Sequence, residues 1–84
     1  MAYIVKEIAT ATVANPSFKA GEQHIYYMGK GGAFATDIKH FTEYGFCEGW
    51  KSERFAREYI RKEQAYDNEY SNGMWRYVWE IMAI

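Results

Sequence analysis

Met74-Trp75-Arg76-Tyr77-Val78-Trp79-Glu80-Ile81-Met82-Ala83-Ile84 is the stretch that decides the fold. Trp75, Tyr77, Trp79, Ile81 and Ala83 alternate with Met74, Arg76, Val78, Glu80 and Met82. Strict alternation is the pattern of a β-strand, whose successive side chains point to opposite faces of a sheet. One face carries two indoles and a phenol, and the other is apolar with two charges. So much bulk calls for burial. The strand is therefore expected inside the sheet, beside the first strand, tying down the C-terminal end.

Working back along the chain, Ser52 is an N-cap residue, and no Gly or Pro follows from Glu53 to about Tyr66. At about 100° per residue, Phe55, Tyr59, Tyr66 and Tyr70 share one arc, with Ala56 and Ile60 at its edge. Arg54, Arg57, Glu58 and Arg61 occupy the opposite side. Glu53→Arg57 and Glu58→Lys62 are i,i+4 pairs of the favourable orientation. Glu63 breaks the pattern by projecting into the apolar arc, where it either marks the helix edge or bonds a Tyr hydroxyl. The reading is one amphipathic helix from Ser52 to about Asp67, closed by Asn68, Ser71, Asn72 and Gly73.

Tyr3–Thr12 begins β-branched and aromatic and reads as strand one; Gln23–Met28 reads as strand two. Asn15-Pro16-Ser17 is a turn between them. Gly29-Lys30-Gly31-Gly32 is a tight turn into a short strand, Ala33-Phe34-Ala35, making a hairpin. Thr36–Phe41 is expected to start a short helical turn capped by Thr36, with an extended piece near Tyr44–Trp50. The order is β-β-β-irregular-α-β. The predicted fold class is α+β: an antiparallel sheet of three to four strands with one amphipathic helix packed on one face. Expected core residues are Ile4, Ile8, Phe55, Tyr59, Ile60, Val78 and Trp79, with one tryptophan partly exposed.

Composition bounds the rest. A chain of 84 residues makes one domain with one small core. Leucine is absent, so eight Tyr, five Phe, three Trp and four Met supply the bulk. The net charge of −1 argues against general nucleic-acid affinity, which needs a basic excess. Cys47 is the single cysteine, so no internal disulfide forms and a reducing, cytoplasmic setting is expected. No apolar run approaches the roughly 18 residues of a membrane span, and the first residues lack a signal-peptide pattern.

Chemistry-bearing residues are few. The glycine run lacks the spacing and the following helix of a phosphate loop. Cys47, His40 and His24 provide neither the base, orienting group and oxyanion hole of a nucleophilic site nor the paired spacing of a zinc site. No enzyme activity, metal or cofactor is expected. Glu43, Glu48, Glu53, Glu58 and Glu63 recur at a five-residue step, which drifts around a helix. Tyr26, Tyr27, Trp75, Tyr77 and Trp79 would form a stacking platform for single-stranded nucleic acid, but only Lys6, Lys30 and Arg76 lie near them. Surplus Tyr and Trp, with no catalytic constellation and no ligand-sized cavity expected, suit a protein-binding module. A free aromatic patch would also serve homo-oligomerisation. The predicted contact surface is the helix face of Arg54, Arg57, Arg61 and Lys62, with Lys30 in the hairpin and Tyr26 or Tyr27 as anchors.

The opening strand Ala2-Tyr3-Ile4-Val5-Lys6-Glu7-Ile8, the glycine-turn hairpin at Tyr27–Phe34, the helix Ser52–Gln64 and the closing aromatic strand together resemble small accessory proteins of phages and mobile elements. Among these, anti-CRISPR proteins are similar in size and layout. One type I-F inhibitor group is similar in its first strand and in the stretch Ala56–Gln64. The resemblance implies a stoichiometric inhibitor that occludes a host nuclease or defence complex. It assigns no individual residue a role. The alternative is a single-stranded nucleic-acid binder, and the expected discriminator is a steep salt dependence that an apolar protein interface lacks.

Overall fold

β1 (Tyr3–Ala11) organises the molecule in the computed structural model, which describes residues 1–84. It pairs antiparallel with β2 (Gln23–Met28), from Val5↔Met28 to Thr10↔Gln23. On its other side it pairs antiparallel with β4 (Trp75–Ala83), from Tyr3↔Ala83 to Ala11↔Trp75. β3 (Phe34–Ala35) adds to β2, giving a four-stranded sheet in the order β3-β2-β1-β4. The main helix is α2 (Glu53–Tyr70), and a single turn, α1 (Lys39–Thr42), precedes it. The α+β class with one long helix is as the sequence predicts.

The aromatic strand is not interior: β4 is an edge strand, and β1 takes the middle. The residues of β1 explain the exchange. Ile4 and Val5 point to opposite faces and both are fully buried, and Ala9 and Ala11 are buried as well. Small and β-branched residues can be enclosed on both faces. The large rings of Trp75, Tyr77 and Trp79 are half-buried instead, reaching in from the edge over the small register partners Ala9 and Ala11. All three tryptophans are half-buried, rather than one.

α2 begins where Ser52 predicts, although the Ser52 side chain makes no capping bond, and it runs three residues past Asp67 to Tyr70. Its inner face is Ala56, Tyr59, Ile60, Glu63 and Asp67, the classes less exposed than their neighbours, at helical three- and four-residue spacing. Ala56 is fully buried. The Tyr59 hydroxyl, 2.7 Å from Met28 Sδ, ties the helix to the face of the sheet that also carries Val5 and Glu7. Phe55 was expected in the core but is 57% exposed, because it sits about 100° around the helix from Ala56. Val78 is 49% exposed, because it points to the sheet face that α2 does not cover. Tyr66 and Tyr70 are exposed on the helix flank. Ile8, Tyr59, Ile60 and Trp79 are half-buried, and Ile4 is buried as predicted. Arg57 pairs with Glu53 at 2.8 Å as expected, whereas Glu58 pairs with Arg61 at 2.6 Å instead of with Lys62.

The segment between β3 and α2 folds over the opposite face at one end. There Ile4, Ala35 and Phe41 form a cluster with Tyr27, Ile38, Cys47, Met82 and Ile84 around it. Thr36 does not cap the turn; the Asp37 carboxylate accepts the Lys39 N–H at 2.9 Å. The expected extended piece shrinks to one bridge, in which Tyr3 and Trp50 exchange backbone bonds of 2.8 Å. Gly29 is held against this segment: a Cβ there would lie 2.2 Å from the Glu48 carbonyl oxygen and 2.6 Å from Phe41. Gly31 and Gly32, at φ 72° and 78°, make the hairpin turn that the glycine run predicts.

Two substitutions separate the observed core from the predicted one. Ile4→Ala should cost ~2–5 kcal/mol in urea denaturation, and Phe55→Ala less than ~1 kcal/mol. A Phe55→Ala loss as large as that of Ile4→Ala would contradict the helix orientation.

Candidate functional site

Towards its C-terminal end α2 presents acids rather than apolar groups to the sheet. A cleft of about 410 Å³ opens there, lined on the sheet side by Glu7, Met28, Trp75, Tyr77 and Trp79. Glu63, Tyr66, Asp67, Tyr70, Ser71 and Asn72 line the helix side. Local sequence dictates both walls. Glu7, Trp75, Tyr77 and Trp79 fall on one sheet face by strand alternation, with Glu7 opposite Trp79 in register. Glu63 and Asp67 are one helical turn apart, as are Tyr66 and Tyr70.

Glu7 is the least expected residue of the site. It lies in the central strand and is only 8% exposed. Trp79 Nε1–H donates to its Oε1 at 2.9 Å. Burial pushes its carboxyl above the ordinary value of 4.5, the Trp79 bond opposes the rise, and the charges of Glu63 and Asp67 add to it. Both neighbouring phenols report the same field. Tyr59 is pushed far above the usual phenol range, first by burial and then by the charges of Glu63 and Glu7. Tyr77 is also raised, by burial and then by Glu7 and Asp67. No cationic side chain lines the cleft. Arg57 and Arg61 are spent in exposed pairs with Glu53 and Glu58.

The aromatic walls suit a cation. The rings of Tyr77 and Trp79 are stacked with centroids 5.7 Å apart and planes 17° apart. Tyr66 and Tyr70 lie 4.7 Å apart across one helical turn. Ring faces attract cations, most strongly once water is excluded. No three His, Cys, Asp or Glu side chains converge at metal-binding spacing. The arrangement therefore fits an organic cation, which has an apolar body and a delocalised or spread charge, better than a bare metal ion.

The residues singled out in the sequence do not assemble into one surface. Tyr26 and Tyr27 point to opposite faces of the sheet; Tyr26 lies beside Glu7 in register, and Tyr27 packs into the cluster around Ile4. Arg54, Arg57, Arg61 and Lys62 are exposed on the outer helix face, with Arg57 and Arg61 already paired. Lys30 lies apart from them, in a second hollow of about 270 Å³ with Trp50, Lys51 and Phe55. His24 is half-buried, 2.7 Å from Glu22 and edge-on to Trp75. His40 packs against Tyr44 and Phe46, and the half-buried Cys47 thiol borders the Ile4 cluster. Sequence reasoning missed Glu7 and Asp67. The available signals were an acid within an apolar strand and Glu63 breaking the apolar arc, with Asp67 four residues on.

The electrostatics give a pH prediction. The folded state holds the Glu7 proton to higher pH than the unfolded chain, so stability falls as pH rises from about 4.5 through the raised folded value. Glu7→Gln keeps an acceptor for Trp79 and removes the charge. It should be more stable than the parent at pH 7, with the difference vanishing below about pH 4. Chemical denaturation across pH measures this, and a Glu7→Gln protein less stable at pH 7 would contradict it. No protein family, curated protein or solved structure matches the chain.

Proposed function

We propose that the chain is a non-catalytic protein-binding module that takes an arginine or lysine side chain of its partner into the cleft between α2 and β4. The observation that carries this reading is the coincidence of three carboxylates and stacked aromatic rings around a cavity without a cation of its own. A guanidinium or ammonium would offset the mutual repulsion of Glu7, Glu63 and Asp67 and lie against ring faces. The resemblance to anti-CRISPR inhibitors extends the proposal. The partner is then a host defence complex that handles nucleic acid and so displays Lys and Arg, and the module masks that surface in the host cytoplasm. Proteins that bind phosphates use such basic surfaces.

Nucleic acid is the competing ligand, and the cleft speaks against it. The strand aromatics that would stack bases stand beside three carboxylates, which repel phosphate. Salt alone no longer separates the two readings, since an anionic cleft on a cationic partner is also screened by salt. The sign of the ligand's charge does separate them.

Indole fluorescence titrations with an arginine-rich peptide and with a single-stranded oligonucleotide provide the test. The peptide should bind, and the double substitution Glu63→Gln, Asp67→Asn should weaken it at least ~10-fold. Arg54→Ala and Lys62→Ala on the outer face should leave binding within ~2-fold. Tight oligonucleotide binding with no peptide binding would reverse the assignment.

A further inference from the structure

β4 runs nine residues along an open sheet edge, whereas the opposite edge strand, β3, has two. Long edges are normally blunted by proline, a bulge or a covering segment. β4 contains no proline, and it pairs with β1 without interruption from Trp75 to Ala83, hence without a bulge. The hydrogen-bond phase of this edge is fixed at both ends. Ala2 and Ile84 exchange backbone bonds, and the Thr12 N–H donates to the Met74 carbonyl. Tyr3 bonds the other way, to Trp50. Even-numbered residues of β4 therefore bond β1, and Trp75, Tyr77, Trp79 and Ile81 direct N–H and C=O outwards. No strand pairs with that side.

We propose that β4 pairs antiparallel with β4 of a second copy about a twofold axis at Val78. The outward groups then form the ladder, with Tyr77 opposite Trp79 and Trp75 opposite Ile81 of the other copy. On the opposite face Val78 meets Val78, covering a side chain that is 49% exposed in the single chain. Arg76 of each copy meets Glu80 of the other, so the axis creates two opposite-charge pairs. Arg76 faces the neutral Thr10 within its own chain; Glu80 lies opposite Lys6 in register, but the two form no ion pair. The phase restricts the alternatives to shifts that keep odd residues opposite odd residues. Those neighbouring registers place Arg76 against Val78 or Met82, or Glu80 against Glu80, and lose the charge pairing. The sheet becomes continuous across both copies, both α2 helices lie on one side of it, and both clefts face the same way. This pairing does not depend on what the cleft binds.

Arg76→Glu and Glu80→Lys test the register. Each substitution alone places like charges opposite each other twice across the axis. Mixed together, the two variants restore both opposite-charge pairs, in a heterodimer. Sedimentation velocity over a concentration series should show a dimer for the parent chain, monomers for each variant alone, and a 1:1 dimer for the mixture. Circular dichroism verifies that each variant is folded; in β1 Arg76 faces the neutral Thr10, whereas Glu80 faces Lys6, so Glu80→Lys is the variant for which that check matters most. A parent chain that stays monomeric throughout, a variant that dimerises alone as the parent does, or a mixture that stays monomeric would overturn the proposal.

Discussion

β1 is hydrogen-bonded along both edges and packed on both faces, and every other element is positioned by one of those four contacts. β2 and β4 flank it. Val5 meets the face under α2, and Ile4 meets the cluster under the α1 segment. Only small and β-branched side chains can be enclosed from two directions at this chain length, and β1 supplies Ile4, Val5, Ala9 and Ala11. On the face under α2 the strand's apolar run is interrupted once, by Glu7. An acid in the most enclosed strand of a small fold opposes stability unless it stays protonated or finds a partner. One indole N–H meets part of that need. Glu63 and Asp67, directed from the helix towards the same space, make it worse.

Within the isolated chain that concentration of charge is only partly offset, by the Trp79 bond to Glu7 and the Tyr59 bond to Glu63. Apolar residues at Glu63 and Asp67 would let α2 close onto the sheet along its whole length. The cleft opens where the acids begin. Such a trade is what a binding site requires: preformed shape, groups whose interactions are incomplete until the ligand arrives, and aromatic walls that remain rigid. The open edge of β4 lies next to the same cleft, since Trp75, Tyr77 and Trp79 belong to both.

Much of the fold was legible in the sequence. Alternation located β1, β2 and β4, the glycine run located the hairpin, and periodicity located α2 to within a few residues. Two inferences failed for the same reason. Aromatic bulk was equated with burial, which put β4 in the sheet interior and Phe55 in the core. In the structure the interior positions go to residues small enough to be covered twice, and aromatic rings cover them from the margins. The site was less legible. Its acids come from β1 and α2, far apart in sequence, and become a cluster only once the helix is laid over β1 and β4. Glu63 was visible as a break in the apolar arc, but its meaning depended on Glu7 and Asp67 facing it. The basic residues of the outer helix face were conspicuous because they are exposed, and two of them are already paired.

The Glu7 carboxyl lies among the charges of Glu63 and Asp67 in a cleft that no cationic side chain lines. NMR titration of the Glu7 carboxyl carbon, in the free protein and with an arginine-rich peptide, tests this arrangement most directly. A midpoint above the ordinary 4.5 is expected in the free protein, falling when the peptide binds, with a concurrent shift of the Trp79 indole N–H. An ordinary Glu7 midpoint in the free protein, or one that the peptide leaves unmoved, would contradict it.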